Sequence, residues 1–181
     1  MRKNLFVLIL LAGSFVVAAE AQAHQPRIVS DSWLTLIENP EVSQAFYGEL
    51  KGHEAYYLID LKQAGDLYFQ ILVPDSPAAA KDKSATVEYS PELGAKAENF
   101  VKLDAAAAEW QKYFEEFAGD NYFKGPEDKS PAEPGYYIVK IFSPENEGKY
   151  VLVVGQKEEF PPLETIKAVY TIPLLKNNFF Q

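Results

Sequence analysis

The strongest transition-metal ligands in this 181-residue sequence are two histidines, because the chain contains no cysteine. His24 lies just beyond an apolar N-terminal run, and His53 lies in a turn that contains glycine. If processing exposes His24, its amino group and imidazole can chelate one copper ion, and His53 can supply a third nitrogen. The alternative is that His24 merely follows a cleavage site and His53 is a polar turn residue.

Catalytic motifs are missing from the sequence. It contains no Gly-x-Ser-x-Gly, no His-Glu-x-x-His and no glycine-rich phosphate loop. Only two histidines could serve as the base of a Ser–His–Asp triad. Carboxylate pairs such as Glu115 with Glu116, or Asp120 with Glu127, could in principle cleave glycosides, but such pairs usually form a solvated surface. We therefore predict that the chain is not an enzyme, and an envelope hydrolase is the third choice among the functions considered.

Three aspartates, Asp60, Asp66 and Asp75, follow or precede predicted strands. A jelly roll can bring strand ends together, and Ca²⁺ binds to converging oxygen ligands. The Asp-x-Asp-x-Asp-Gly spacing is missing, however, so scattered surface acids are the simpler explanation. We predict no cofactor, with copper or calcium as the alternatives.

An aromatic segment interrupts the β pattern in the middle of the chain. Trp110, Tyr113, Phe114 and Phe117 fall at i, i+3, i+4 and i+7, the spacing of one helix face. Asp104 can cap such a helix and Gly119 can end it. The sequence therefore predicts an inserted helix over about 104–118, packed on a sheet.

An aromatic, turn-rich stretch at 120–126 follows this helix. Exposed rings beside Asp and Asn suit sugar binding, because rings stack on sugars and polar side chains hold hydroxyls. The candidate ligand-binding residues are Trp110, Asp120, Asn121, Tyr122 and Phe123. The alternative is that Tyr122 and Phe123 clamp the end of the helix to the sheet.

The elements that would carry these residues are mostly β-strands. Runs 136–142 and 150–154 are rich in β-branched and aromatic residues and flank a connection with Pro, Asn and Gly, which predicts a β-hairpin. Both faces of the first run are apolar, which predicts a central strand covered on each side. Runs 45–50 and 55–60 predict a second hairpin. The fold class expected is mainly β, a jelly-roll-like antiparallel sandwich.

A short helix is predicted near the C-terminus, over about 162–172. Pro161 and Pro162 can start it, and Pro173 is expected to end it. The residues that follow are apolar enough to dock on the body of the protein or on a partner.

The N-terminus has the features of a secretory signal peptide. Arg2 and Lys3 precede an apolar run at 5–19, and small residues then recur up to Ala23. Cleavage after Ala23 or Ala21 would give a periplasmic or secreted protein with one domain over 24–181, and no predicted transmembrane span after the signal. Without cysteine, that domain must rely on its core instead of disulfides.

The charge of the chain argues against nucleic acid as a partner. The formal net charge is −9, and removal of Arg2, Lys3 and Glu20 with the signal changes it to −10. A net negative protein is repelled by phosphate backbones and by anionic lipids.

Several segments together resemble the bacterial pre-peptidase C-terminal domain, a jelly-roll β-sandwich of secreted proteins. The matching pieces are a Gly-Leu strand, a Tyr-Tyr-x-x-Asp strand, an Ala-Gly turn and a closing Gly-x-Tyr hairpin, at residues 46–50, 56–60, 64–65, 67–73, 134–141 and 148–152. The resemblance implies a non-catalytic module, sometimes cation-binding and often an accessory to export or substrate attachment. The sequence His24-Gln25-Pro26-Arg27 also resembles a group of exported bacterial proteins, and that resemblance implies no activity.

The function expected from the sequence is therefore an exported binding or accessory module. Its partner would be a protein or a glycan of the cell envelope, contacted through the segment 110–126. A periplasmic copper-binding protein that uses His24 is the alternative.

Overall fold

The computed structural model describes residues 24–30, 32–77, 79–116 and 118–180. The predicted signal peptide, residues 1–23, lies outside the described residues. The described residues form eleven strands and one helix: β1 Gln25–Ile28, β2 Thr35–Ile37, β3 Gln44–Lys51, β4 Ala55–Leu61, β5 Gly65–Pro74, β6 Ser84–Ser90, β7 Glu98–Leu103, β8 Gln111–Glu115, β9 Asp120–Ala132, β10 Gly135–Phe142, β11 Glu147–Val154 and α1 Pro162–Asn178.

The strands form two sheets that pack face to face. Sheet 1 has the order β1-β3-β11-β5-β9-β8, and sheet 2 has the order β2-β4-β10-β6-β7. Pairing is antiparallel except at one edge of each sheet, where β1 runs parallel to β3 and β2 runs parallel to β4. Side chains from both inner faces form one core cluster, which includes Phe69 and Leu152 from sheet 1 and Ile59 and Val139 from sheet 2. The predicted β-sandwich is confirmed.

The two predicted hairpins are wrong, although their strands exist. β10 pairs with β4 and β6 in sheet 2, whereas β11 pairs with β3 and β5 in sheet 1. In the same way, β3 belongs to sheet 1 and β4 to sheet 2. Both connections lead from one sheet to the other and do not join neighbouring strands. Composition indicates strands and turns, but the burial of apolar faces across the whole molecule decides which strands pair.

The expectation that β10 is covered on both faces is also wrong. Tyr137, Val139 and Ile141 are buried in the core, but Ile138, on the opposite face, is 39% exposed. The doubly covered strand is β11, where Tyr150 faces the core and Val151 faces a second cluster beneath α1.

The predicted inserted helix over 104–118 is wrong. Asp104 does cap a turn, since its Oδ1 accepts a hydrogen bond from the Ala106 amide at 3.0 Å, but no helix follows this turn. Residues 111–115 form β8 instead, an edge strand that pairs with β9 from Gln111↔Lys124 to Glu115↔Asp120. A short helix with few partners is marginal in water, whereas this hairpin satisfies the backbone through its neighbour. Phe117 lies outside the described residues.

The C-terminal helix is confirmed, but it runs past Pro173 to Asn178. A proline inside a helix costs about 3 kcal/mol, because it removes a hydrogen bond and crowds the preceding turn. Packing beyond the proline offsets that cost, since Leu175 and Phe179 are buried against the outer face of sheet 1. The Phe179 ring meets Tyr47 edge-on, with ring centroids 5.2 Å apart. No helix in the described part of the chain is long and apolar enough to cross a membrane.

Candidate binding surfaces

Trp110, the first of the predicted ligand-binding residues, is half-buried at the rim of the core. Its indole lies so close over Gly125 that a side chain there would overlap the ring. The indole Nε1 donates a hydrogen bond to the Ala105 carbonyl at 3.1 Å. The ring therefore packs against the core, and Gly125 lets it approach the backbone of β9.

The other four predicted residues form the beginning of β9, not a loop. Tyr122 pairs with Pro74 on one side and with Tyr113 on the other. Its side chain is 1% exposed, and its hydroxyl lies 3.2 Å from that of Tyr47. Burial raises the pKa of Tyr122 well above its ordinary value, and the neighbouring Tyr47 adds to the effect. The prediction of an exposed, sugar-stacking Tyr122 is therefore wrong, because strand pairing directs this ring beneath the end of α1.

Phe123 and Asp120 have partners of their own within the protein. Lys81 Nζ lies 3.5 Å from the centroid of the Phe123 ring, a cation–π contact. Asp120 lies 3.5 Å from Lys176 Nζ, which ties β9 to α1. Asn121 is exposed, and its carbonyl accepts a hydrogen bond from the Asp75 amide at 2.9 Å. Glycan binding by these residues stays a prediction. The contacts of Asp120 and Tyr122 connect the β8–β9 hairpin to α1.

The two histidines do not form one metal site. His24 precedes β1, beside the start of β3, and His53 lies beyond the end of β3. At about 3.3 Å per residue, the length of β3 alone puts about 23 Å between them. A copper ion that binds both is therefore geometrically impossible, and this part of the copper hypothesis is wrong.

His24 lines a cavity of about 330 Å³. Its Nδ1 lies 2.5 Å from the hydroxyl oxygen of Ser43. Burial lowers the pKa of the imidazole to about 4, and the charge of Lys124 adds to the effect, so the ring is neutral at pH 7. A chelate between the amino group and the ring of the same histidine uses Nδ1, because only that nitrogen closes a six-membered ring with the metal. Copper binding by His24 stays a prediction, and it requires that the ion displace Ser43.

The aspartates proposed as calcium ligands do not converge. Asp66 and Asp75 lie at opposite ends of the ten-residue strand β5, about 30 Å apart. Asp66 pairs with Lys129 at 3.5 Å and Asp75 with Lys112 at 3.0 Å. Asp60 pairs with Lys62 at 2.5 Å. Within the described residues, His, Cys, Asp and Glu form no group of three or more that could hold a metal ion.

The outer face of sheet 2 carries an apolar row that the sequence interpretation missed. Leu36 of β2 pairs with Leu58 of β4, and Leu58 pairs with Ile138 of β10. The three side chains lie on one face of neighbouring strands, about 10 Å from end to end. Leu36 is 55% exposed and Ile138 is 39% exposed. We call Leu36, Leu58 and Ile138 the apolar band.

Tyrosines and charged residues surround the apolar band. Tyr56 and Tyr136, both half-buried, lie one pair further along the strands, opposite Lys140 and Asp60. Glu88 follows Ile138 on the next strand, β6. The alternation of side chains along 136–142 contains this signal, but an apolar outer face is equally typical of a strand covered on both faces.

Comparison with known proteins finds no family model and no curated protein that matches this chain. Among solved structures, a pre-peptidase C-terminal domain of the collagenase from Bacillus anthracis is similar, with 11% identity and a TM-score of 0.42 over 70% of this chain and 97% of that one. The surface-associated copper-binding protein CorA of Methylomicrobium album BG8 is similar with 11% identity and a TM-score of 0.35, over 71% of this chain and 98% of that one. Both TM-scores are below 0.5, so these two similarities carry no argument about the fold or the activity of this chain.

Proposed function

We propose that this protein is a non-catalytic, exported binding module that contacts a protein partner of the cell envelope through the apolar band. One observation carries the proposal: Leu36, Leu58 and Ile138 form a continuous row across three strands, with its two ends 55% and 39% exposed. Single exposed apolar side chains are common on protein surfaces, but contiguous ones mark sites of interaction.

The composition of the band favours a protein partner over a glycan. Its centre is aliphatic, and full burial of a Leu or Ile side chain contributes about 1.5–3 kcal/mol. A glycan would gain little there, since sugar rings stack on aromatic side chains and sugar hydroxyls need polar groups as hydrogen-bonding partners. The tyrosines and charges around the band match the polar rim of a protein interface.

The non-catalytic part of the proposal is supported by the separation of the two histidines, the side chains that could act as the base of a Ser–His–Asp triad. His24 and His53 lie at opposite ends of β3, and the Nδ1 atom of His24 is hydrogen-bonded to Ser43. The exported location follows from the predicted signal peptide and is part of the proposal.

Site-specific photo-crosslinking in the producing cells tests the proposal. A photoreactive amino acid replaces Ile138 in the apolar band, and in a matched control it replaces Leu93, which is 75% exposed in a loop. We expect one discrete protein adduct from position 138 and none from position 93. Loss of that adduct in a variant that also carries Leu36→Glu would locate the contact on the band.

Two results would contradict the proposal. An adduct that forms equally from positions 138 and 93 would be unspecific. Saturable binding of an envelope polysaccharide that requires Tyr56 and Tyr136, without any protein adduct, would identify a glycan-binding face instead.

A further inference from the structure

Helix α1 is apolar on two opposite sides. Toward the body it buries Ala168 and Leu175. Away from the body it presents large apolar side chains that are at least half exposed: Leu163 62%, Ile166 55%, Val169 64%, Tyr170 72% and Leu174 50%. We call these five residues the outer stripe.

Helical geometry places the outer stripe opposite the docked face. At about 100° per residue, Ile166 and Tyr170 point about 160° away from Ala168. On one flank the two apolar sides are separated by Lys167, about 100° from Ala168, which contacts Glu164 at 2.6 Å, and Glu164 contacts Arg27 of β1 at 2.7 Å. A surface helix normally has one apolar side, and a helix that is apolar on both sides is typically covered on both.

We propose that a second copy of this chain covers the outer stripe, with the two α1 helices packed antiparallel about a two-fold axis. Leu163, Ile166 and Tyr170 fall at i, i+3 and i+7, the spacing that lets one helix interlock with another, and Leu174 at i+11 lies on the same face of a straight helix. A stripe of this kind is self-complementary, as an isologous two-fold interface requires.

The exposed area of the outer stripe is large enough for an interface with a second copy of the chain. Half-exposed large apolar side chains present on the order of 100 Å² each, so the five together present on the order of 500 Å², near the upper end of patches on monomers. Two copies would bury about 1,000 Å² from the stripe alone, which is about what a specific interface needs. Rim contacts add to that area.

Charge also favours a second copy over a lipid surface. The full chain has a formal net charge of −9, which an anionic membrane repels.

The proposed dimer is independent of the proposed function. The docked face of α1 packs on the outer face of sheet 1, whereas the apolar band lies on the outer face of sheet 2. The outer stripe and the apolar band therefore share no residue, although Leu36 lines one cavity with Lys167 and Thr171 of α1.

Light scattering on the purified protein, over a hundredfold range of concentration, tests the proposal. We expect the native protein to have twice the mass of one chain. The Ile166→Glu/Tyr170→Glu variant should be monomeric, with a twofold lower mass. Both substituted side chains are more than half exposed, so the variant should keep the circular dichroism of the native protein. The matched control is Leu36→Glu/Ile138→Glu, which changes the apolar band and should stay dimeric.

Three outcomes would overturn the inference. The first is the mass of a single chain at every concentration. The second is a dimer that persists in the Ile166→Glu/Tyr170→Glu variant. The third is a monomer that binds phosphatidylglycerol vesicles and loses this binding in the same variant, which would assign the stripe to a membrane surface. Failure of the crosslinking test at position 138 would leave all three measurements unaffected.

Discussion

The hydroxyl oxygens of Tyr57 and Tyr150 lie 2.8 Å apart inside the sandwich and join sheet 2 to sheet 1 by a hydrogen bond. Both side chains are 0% exposed. The Tyr150 ring lies over Gly48, its partner in the register of β3 and β11. A buried polar pair thus links the two sheets at a point where only glycine gives the ring enough room.

Removal of both hydroxyls from this pair should cost less than the sum of the two single removals. Tyr150→Phe leaves the Tyr57 hydroxyl buried without its partner, so we expect the free energy of unfolding to fall by about 1–3 kcal/mol. Tyr57→Phe/Tyr150→Phe should be less destabilised than the sum of the two single variants. Urea unfolding of all four proteins measures this cycle, and strictly additive effects would contradict the coupling.

Gly48→Ala should be destabilising for a steric reason. A methyl group at this position would overlap the ring and hydroxyl of Tyr150. We expect a loss of about 1–3 kcal/mol, the usual cost of overpacking a core. Gly65→Ala is the matched control, because a side chain at the start of β5 meets nothing within 4 Å. Equal unfolding midpoints of the two variants would show that the ring moves aside without cost.

The stability of the protein should decrease in alkaline solution. Burial raises the pKa of Tyr150 to about 12 and raises the pKa of Tyr57 well above its ordinary value. Above pH 10 the unfolded chain releases tyrosine protons that the folded chain retains, so the free energy of unfolding falls as the pH rises from about 10 to 12. Urea titrations across this range measure the slope. Tyr57→Phe/Tyr150→Phe should have a shallower slope, and an unchanged slope would contradict the assignment.

His24 should make the protein less stable in acid. Burial lowers its pKa to about 4 in the folded chain, against 6.5 for a free imidazole. The unfolded chain therefore takes up this proton first, so stability is fully present above pH 6.5 and falls as the pH decreases toward 4. His24→Gln should flatten this part of the profile of unfolding free energy against pH. An NMR titration that gives His24 a midpoint near 6.5 would contradict the burial.

The docking of the helix end should contribute strongly to stability. Phe179 is 8% exposed and packs edge-on against Tyr47. Phe179→Ala should reduce the free energy of unfolding by about 3 kcal/mol, near the lower end for a buried Phe, because the site lies near the surface. Phe114→Ala, at a ring that is 54% exposed, is the matched control and should cost much less. If Phe179→Ala cost as little as Phe114→Ala, α1 would be held mainly by its other contacts.

The sequence predicted the strands around Val139 and Leu152, because their composition favours β-structure wherever they pair. It did not predict that these strands belong to different sheets. A turn with Pro, Asn and Gly suits both a hairpin and a crossing between sheets, and only the burial of Tyr137 and Tyr150 against opposite sides of one core distinguishes them.

For the candidate site, too, the sequence predicted packed aromatic residues but not the element that carries them. The helical spacing of Trp110, Tyr113 and Phe114 predicted one packed face, but the pairing of β8 with β9 placed Trp110 on Gly125 and left Phe114 exposed. Aromatic residues pack wherever a surface is available, so their spacing in a short segment does not decide between helix and strand.

The sequence by itself determined that the chain is a β-rich sandwich with a C-terminal helix, since propensity, turn residues and proline positions are local properties. Only the tertiary structure decided which faces stay exposed. The apolar band is formed by the register between β2, β4 and β10. The outer stripe is exposed because the opposite side of α1, which carries Ala168 and Leu175, packs against the body of the protein. Exposure depends on what the rest of the chain covers, and that is a property of the whole fold.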